Sequence, residues 1–444
     1  MAFDLLIRNA ILVTADVRRA VDIGMAGGCF NAIEAAGSLT GAEAELDAGG
    51  SYALPGLIDG HVHFRQPGLE HEEDWETGTR AAVMGGVTTV LDMPNTVPPT
   101  DDVERARRKL ELAGKTAYCD FGLFGLLGES VESVAQLAES RLIIGLKAFL
   151  GPTTGGLAAP NDETMLSALT VARKAGLRVA FHAEDRATIE AREERLRRAG
   201  RTDPQAHLEA RPPEAEVAAI DRVGRLLLDT GSAGHVLHLS SADGLAAVER
   251  WRVRGVDLTC EVTPHHVLLG LDAYRLGGIA RVNPPVRGEP HSSALLAALA
   301  DGHVDCLASD HAPHVAQDKA RPSIWDVPAG FAGVETQLPL MLAAVNDGRL
   351  SLERLVHATS EATARTWGLW PRKGSITVGA DADLTLVDPA RKGVVRADAL
   401  HGMNNLSPFE AWPLRGAPVT TIVRGSVVVR DGELVASPGW GRPV

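Results

Sequence analysis

Two histidines two positions apart, His61 and His63, follow Gly56-Leu57-Ile58-Asp59-Gly60 and precede Phe64 and Arg65. Side chains alternate along an extended strand, so this spacing puts both imidazoles on one face. Imidazole is the commonest metal-binding side chain, and the pair marks the start of a metal site. Arg65 continues the same alternation and adds a fixed cation one step further along that face. A guanidinium beside a metal suits an anionic substrate. His-x-His by itself is a sparse motif, so the remaining ligands must come from elsewhere in the chain.

The elements that would position them follow a regular alternation. Strand-like runs at 54–63, 86–93, 118–127, 141–150, 177–183, 235–240, 256–262 and 304–310 alternate with stretches of helical periodicity such as 101–113, 161–176, 213–230, 242–254 and 291–301. That is the pattern of parallel βα units, and eight of them predict an α/β protein with a closed (β/α)8 TIM-type barrel. In such barrels catalytic groups stand at the C-terminal ends of the strands. Here those ends carry His61 and His63, Asp92-Met93-Pro94-Asn95, Lys147, His182, His238, Glu261 to His266, and Asp310-His311.

Taken singly, each candidate ligand has a plainer reading. His182 could be a core histidine, His238 could face solvent while His235 faces inward, and Asp310 could cap the next segment. His61, His63, His182, His238 and Asp310 standing together at the ends of four strands favours the metal reading. Lys147 lies in the apolar run Ile143 to Leu150, where an unpaired ammonium would cost several kcal/mol. Two compensations are open: a salt bridge to a carboxylate, or addition of CO₂ to give a carbamate anion able to bridge two cations about 3.5–4 Å apart.

The chain of 444 residues accommodates a barrel of roughly 250 residues and a smaller domain. Residues 1–52 and 371–444 both read as short strands with Gly-rich turns, among them Leu5 to Asn9, Ala10 to Thr14, Ala20 to Met25, Ser426 to Arg430 and the turn Asp431-Gly432. We therefore expect one small β-sandwich built from both termini, flanking a barrel over 53–370. A hydrophobic content of 45% with 23% charged residues is ordinary for a soluble protein, and no apolar run reaches the ~20 residues of a membrane span. The N-terminus lacks a signal-peptide pattern, which predicts a cytoplasmic protein. A net charge of −13 argues against a nucleic-acid partner. Cys29, Cys119, Cys260 and Cys306 show no Cys-x-x-Cys spacing and read as small core residues.

Further runs carry a family resemblance. His61-Val62-His63-Phe64-Arg65-Gln66-Pro67-Gly68, Glu76 to Ala82, Met93-Pro94-Asn95-Thr96, Thr263-Pro264-His265-His266, Asn283-Pro284-Pro285-Val286-Arg287 and Ser309-Asp310-His311-Ala312-Pro313-His314 together resemble dihydroorotases of the amidohydrolase superfamily. The resemblance spans nearly the whole chain. It implies two zinc ions per subunit, one held by His61, His63 and Asp310, the other by His182 and His238, with Lys147 at the bridging position, N-carboxylated. It further implies reversible cyclisation of N-carbamoyl-L-aspartate to L-dihydroorotate in pyrimidine synthesis, with Asp310 as general base and acid. Arg65, Asn95 and His314 would hold the substrate carboxylate; Asn283, Ala329 and Gly330 would meet the ring amide. A homodimer is the family habit.

Lysine at 147, where many short bacterial relatives have Asp, resembles the carbamate-bridged branch that also holds hydantoinases and allantoinases. Gln66 departs from the Glu usual before Pro-Gly, with little effect expected on chemistry. The rival readings are a related cyclic amidase and a non-catalytic partner of a transcarbamoylase. Arg65 can instead pair with Glu70 or Glu72, and Asn95 can serve the turn after Pro94. Segments 151–160 and 311–328, rich in Gly and Pro, are the candidates for closing over substrate.

Overall fold

A computed structural model of the chain describes residues 3–153, 156, 157 and 160–444. Eight parallel strands pair in chain order: Leu57–Val62, Val87–Asp92, Asp120–Leu126, Gly145–Phe149, Val179–His182, Gly234–Val236, Leu258–Val262 and Cys306–Leu307. The ring closes where Val62 bridges to His311, with the His63 N–H donating to the His311 carbonyl at 2.8 Å. Strands covered on both faces read as nearly continuous apolar runs, and every residue of the first five is buried. The helices between them begin at side-chain caps: Asp74, Asp102, Asn161, Asp185 and Ser241 each accept a backbone N–H of the first turn.

All eight expected strands are present, but the sixth and eighth stop short of the expected 235–240 and 304–310. The reason is local. His238 has φ 37° and Asp310 φ 49°, a left-handed backbone that takes the chain out of the sheet just before each functional side chain.

The termini build a second, nine-stranded sheet. Its join is the short strand Tyr52–Pro55, parallel to Ile11 and Leu12 on one side and antiparallel to Leu384–Val387 on the other. Leu5, Ile7, Val21, Ile23, Phe30, Leu384 and Ile422 form its buried layer. The expected break between Leu5–Asn9 and Ala10–Thr14 is instead one strand, Phe3–Val13, with a register shift between Ile7 and Ala10. Asn9, at φ 56°, absorbs the irregularity as a bulge, its N–H donating to Asp22. No helix among the described residues is long and apolar enough to cross a membrane.

A buried cation ties the barrel to the C-terminal part of the chain, beside the pairing of Arg424 with Asp120. Lys373 Nζ lies 2.5 Å from Asp120 on the third barrel strand, 3.0 Å from Asp381 and 2.7 Å from Asp383. Removing one partner of a buried ion pair leaves the others uncompensated, at about 3–5 kcal/mol. Lys373→Met is therefore expected to lower stability by about that amount, read as a lower urea midpoint; an unchanged midpoint would refute the tie.

Candidate active site

The cavity at the C-terminal mouth of the barrel gathers most of the expected residues. His61, His63, Arg65, Asn95, Lys147, His182, His238, Asn283, Asp310 and Ala329 line it, together with Phe149, Thr153, Val282 and Ala312. His314 and Gly330 are not among its lining residues, and His314 Nε2 lies 3.1 Å from Arg65 Nη2. Arg65, His238 and Asp310 are all buried in the left-handed region, at φ 61°, 37° and 49°. Such strain persists only where surrounding structure imposes it, and it clusters at functional sites.

One group of ligand atoms is His61 Nε2, His63 Nε2 and a carboxylate oxygen of Asp310, all within 4.8 Å of one another. Their far sides are engaged. His61 Nδ1 lies 2.7 Å from Glu261 Oε1, and His63 Nδ1 lies 2.7 Å from Asn95 Oδ1. Both partners are acceptors, so each Nδ1 carries the proton and each Nε2 presents a lone pair. The two Nε2 atoms sit 3.3 Å from the same oxygen, Asp310 Oδ1. Three acceptor atoms converging without a proton between them is a donor set that fits a divalent cation. Burial pushes His63 down to about 3, which keeps its ring neutral. Burial raises Asp310, yet His61, His63 and His238 around it hold its carboxyl well below the usual range.

A second group faces the first. His182 Nδ1 and His238 Nε2 are 3.0 Å apart, their rings in an edge-to-face arrangement. His182 Nε2 is 2.8 Å from Glu184 Oε2, which leaves Nδ1 unprotonated toward the cavity. Arg211 pairs with Glu184, whose carboxyl, despite burial, is held down to about 2 by that guanidinium and His182. His238 is buried and does not face solvent, and His235 is buried behind it. Glu261 spans both: Oε1 also takes the His238 N–H at 3.3 Å, and Oε2 lies 3.1 Å from His235 Nε2.

Lys147 lines the same cavity, 1% exposed, its Nζ 4.7 Å from the centre of the Phe149 ring. Burial lowers its amine to about 7 against the pull of Asp310 and Glu261. Among the described residues the salt bridge that would compensate a buried ammonium is not formed.

Three expectations are refined. Asn95 holds His63 through Oδ1, so it orients a ligand as well as lining the cavity. Gly330 donates its N–H to the Arg281 carbonyl and accepts from Lys319, and at φ 128° it lets the backbone pass Ala312, where a Cβ would meet a carbonyl oxygen at 2.4 Å. The Arg65 pairing with Glu72 does form, at 3.3 Å, while His314 Nδ1 meets Glu72 Oε1 at 2.8 Å. Gln66 accepts from the Trp75 N–H and stays out of the cavity. His266, held by Thr263 and the Pro284 carbonyl, fixes the turn that presents Asn283. Of segment 151–160, residues 154, 155, 158 and 159 lie outside the described residues. Segment 311–328 is clamped by Lys319, whose Nζ donates to the carbonyls of Arg281, Pro328 and Gly330.

In the sequence Glu184 and Arg211 carry no assigned role, Glu261 only a strand-end position, and Glu72 only the alternative pairing with Arg65. Glu184 was within reach, since two positions after His182 it falls on the same face of an extended strand.

Fold and site together define the class: a (β/α)8 barrel enzyme whose chemistry is built around candidate metal ligands. The profile of the amidohydrolase family matches residues 52–428, and the chain belongs to that family of hydrolases. A dihydroorotase of Halobacterium salinarum is 39% identical over 433 residues, 97% of each chain. An allantoinase of Rubrobacter xylanophilus is 38% identical over 444 residues, 98% of this chain and 96% of its own. The solved L-hydantoinase (dihydropyrimidinase) from Arthrobacter aurescens superimposes with a TM-score of 0.96 at 33% identity, covering 100% of this chain and 99% of that one.

Proposed function

We propose that the protein is a zinc-dependent cyclic amidase, specifically a dihydroorotase that interconverts N-carbamoyl-L-aspartate and L-dihydroorotate in pyrimidine synthesis, working as a homodimer with domains 1–52 plus 371–444 and 53–370. The observation that carries the choice among cyclic amides is Arg65, a cation 2% exposed that lines the same cavity as the candidate ligands. A ring bearing a carboxylate uses that cation; the neutral rings of hydantoins, dihydropyrimidines and allantoin do not.

His61, His63 and Asp310 would hold one zinc and His182 and His238 the other, with Lys147 between them as a carbamate formed when the amine attacks CO₂ and loses one proton. When bound, such metals polarise an amide carbonyl and lower the pKa of water. Asp310 then takes the proton of the attacking water and passes it to the ring nitrogen as the amide bond breaks. Ring closure runs the same transfers backward. Arg65 meets the substrate carboxylate with two N–H groups, supported by Asn95 and His314, while Asn283 and the Ala329 backbone meet the amide edge.

Hydrolysis of dihydroorotate, dihydrouracil, hydantoin and allantoin, measured side by side, tests the reading. Faster turnover of a neutral ring would replace dihydroorotase with one of the related activities, and absence of both metal and turnover would leave a binding partner. Arg65→Met is expected to raise KM for dihydroorotate by about 100-fold, the scale of a charge-assisted contact worth about 1.5–3 kcal/mol. An unchanged KM would remove Arg65 from the carboxylate site.

A further inference from the structure

The cation that reads the carboxylate has an internal anion beside it. Glu72 Oε2 lies 3.3 Å from Arg65 Nε, and both side chains are buried. Neither atom makes a hydrogen bond among the described residues, so the pair attracts through charge alone and the guanidinium keeps donors uncommitted. The other oxygen of Glu72 lies 2.8 Å from His314 Nδ1, and His314 Nε2 lies 3.0 Å from the Ala329 carbonyl oxygen and 3.1 Å from Arg65 Nη2. Glu72 is held from behind by Asn404, which donates to the carbonyls of His71 and Glu72 at 3.1 and 2.7 Å. Asn404 of the C-terminal part of the chain thus anchors the backbone that carries Glu72. Glu72 also borders an outer cavity of about 360 Å³ that shares Thr153, Asn283 and Ala329 with the inner one.

We infer that Glu72 is a specificity-determining residue, a built-in counter-anion that sets how strongly Arg65 draws a carboxylate into the cavity and so grades anionic rings against neutral ones. The inference rests on the carboxylate-reading role proposed for Arg65. A carboxylate bound to Arg65 shares the guanidinium with a fixed negative charge, and like charges this close in a partly buried site repel appreciably. A neutral ring is indifferent to that charge. Glu72 thus keeps the anion's affinity below what a free buried guanidinium would give, and its loss selectively favours the anion.

Glu72→Gln tests this, because it removes the charge and retains an oxygen to accept from His314. Inhibition constants for orotate and for uracil, its counterpart without the carboxylate, are read against whichever cyclic amide the wild-type enzyme hydrolyses. The expected result is an orotate constant about tenfold lower in the variant, equivalent to about 1.4 kcal/mol, and a uracil constant within about twofold. Glu72→Ala should shift orotate in the same direction, with thermal melting confirming the fold of each variant. In an Arg65→Met background, Glu72→Gln should change neither constant. An orotate constant that is unchanged or raised, an equal shift for uracil, or a shift that survives without Arg65 would overturn the inference. Wild-type turnover of dihydrouracil without dihydroorotate would overturn the dihydroorotase reading instead, and the orotate–uracil comparison still decides the role of Glu72.

Discussion

Asp310→Asn is expected to lower kcat by about 10³-fold in both directions while leaving metal content near the wild-type value. The side chain keeps its shape and an oxygen for the Nε2 atoms of His61 and His63, each 3.3 Å from Oδ1 in the native protein. What it loses is the capacity to accept a proton from water and release it to the leaving nitrogen. The native carboxyl is held well below the usual carboxylate range despite its burial, so it is ionised and able to accept that proton. Its placement is also costly to imitate, since Asp310 sits at φ 49° just past the eighth strand. Asp59 helps to fix it there: its Oδ1 accepts the N–H groups of both His61 and Ser309, which ties the first and eighth strand ends together. Metal analysis alongside kinetics separates proton transfer from metal loss. A variant with intact metal content and kcat within tenfold of wild type would remove Asp310 from the proton-transfer role.

The barrel and most of its mouth are legible in sequence because two periodicities coincide. Alternation along a strand predicts His61 and His63 on one face, and the parallel barrel brings the ends of all eight strands to one rim, whereas Arg65 comes into the cavity past the strand end, at φ 61°. His238 and Asp310 are legible only as strand-end residues. Their left-handed backbone, which turns them inward, follows from contacts with Glu261 and from the closing strand pair, both remote in sequence. The outer carboxylates are harder. Glu261 meets His61 across 200 positions and Glu72 meets His314 across 242. Glu72 follows the first strand in a loop without periodicity, so the sequence marks it only as one of two nearby acids that could pair with Arg65. Gly330 is the opposite case, a residue carried over by resemblance whose backbone N–H and carbonyl bond to Arg281 and Lys319.

Lys147→Met carries the other large expectation: metal content should fall from about two ions per subunit to about one or fewer, with kcat lower by about 10²–10³-fold. The argument begins from burial. Lys147 is 1% exposed, and among the described residues no carboxylate pairs with it; the aromatic ring of Phe149 is its near neighbour. A lone ammonium there would cost several kcal/mol, and desolvation accordingly favours the neutral amine. A neutral amine is the form that attacks CO₂. The product is an anion flanked by His61 and His63 on one side and His182 and His238 on the other, where four imidazole nitrogens face the cavity. Carbon-13 bicarbonate supplied to metal-stripped wild-type enzyme should therefore label a carbamate and speed recovery of activity on adding zinc. Short carboxylic acids such as acetate or propionate should restore part of the activity of Lys147→Met by supplying the missing carboxylate. If the variant retains full metal and near-normal turnover, or if recovery of the wild type is indifferent to bicarbonate, Lys147 is a buried amine and not the bridge.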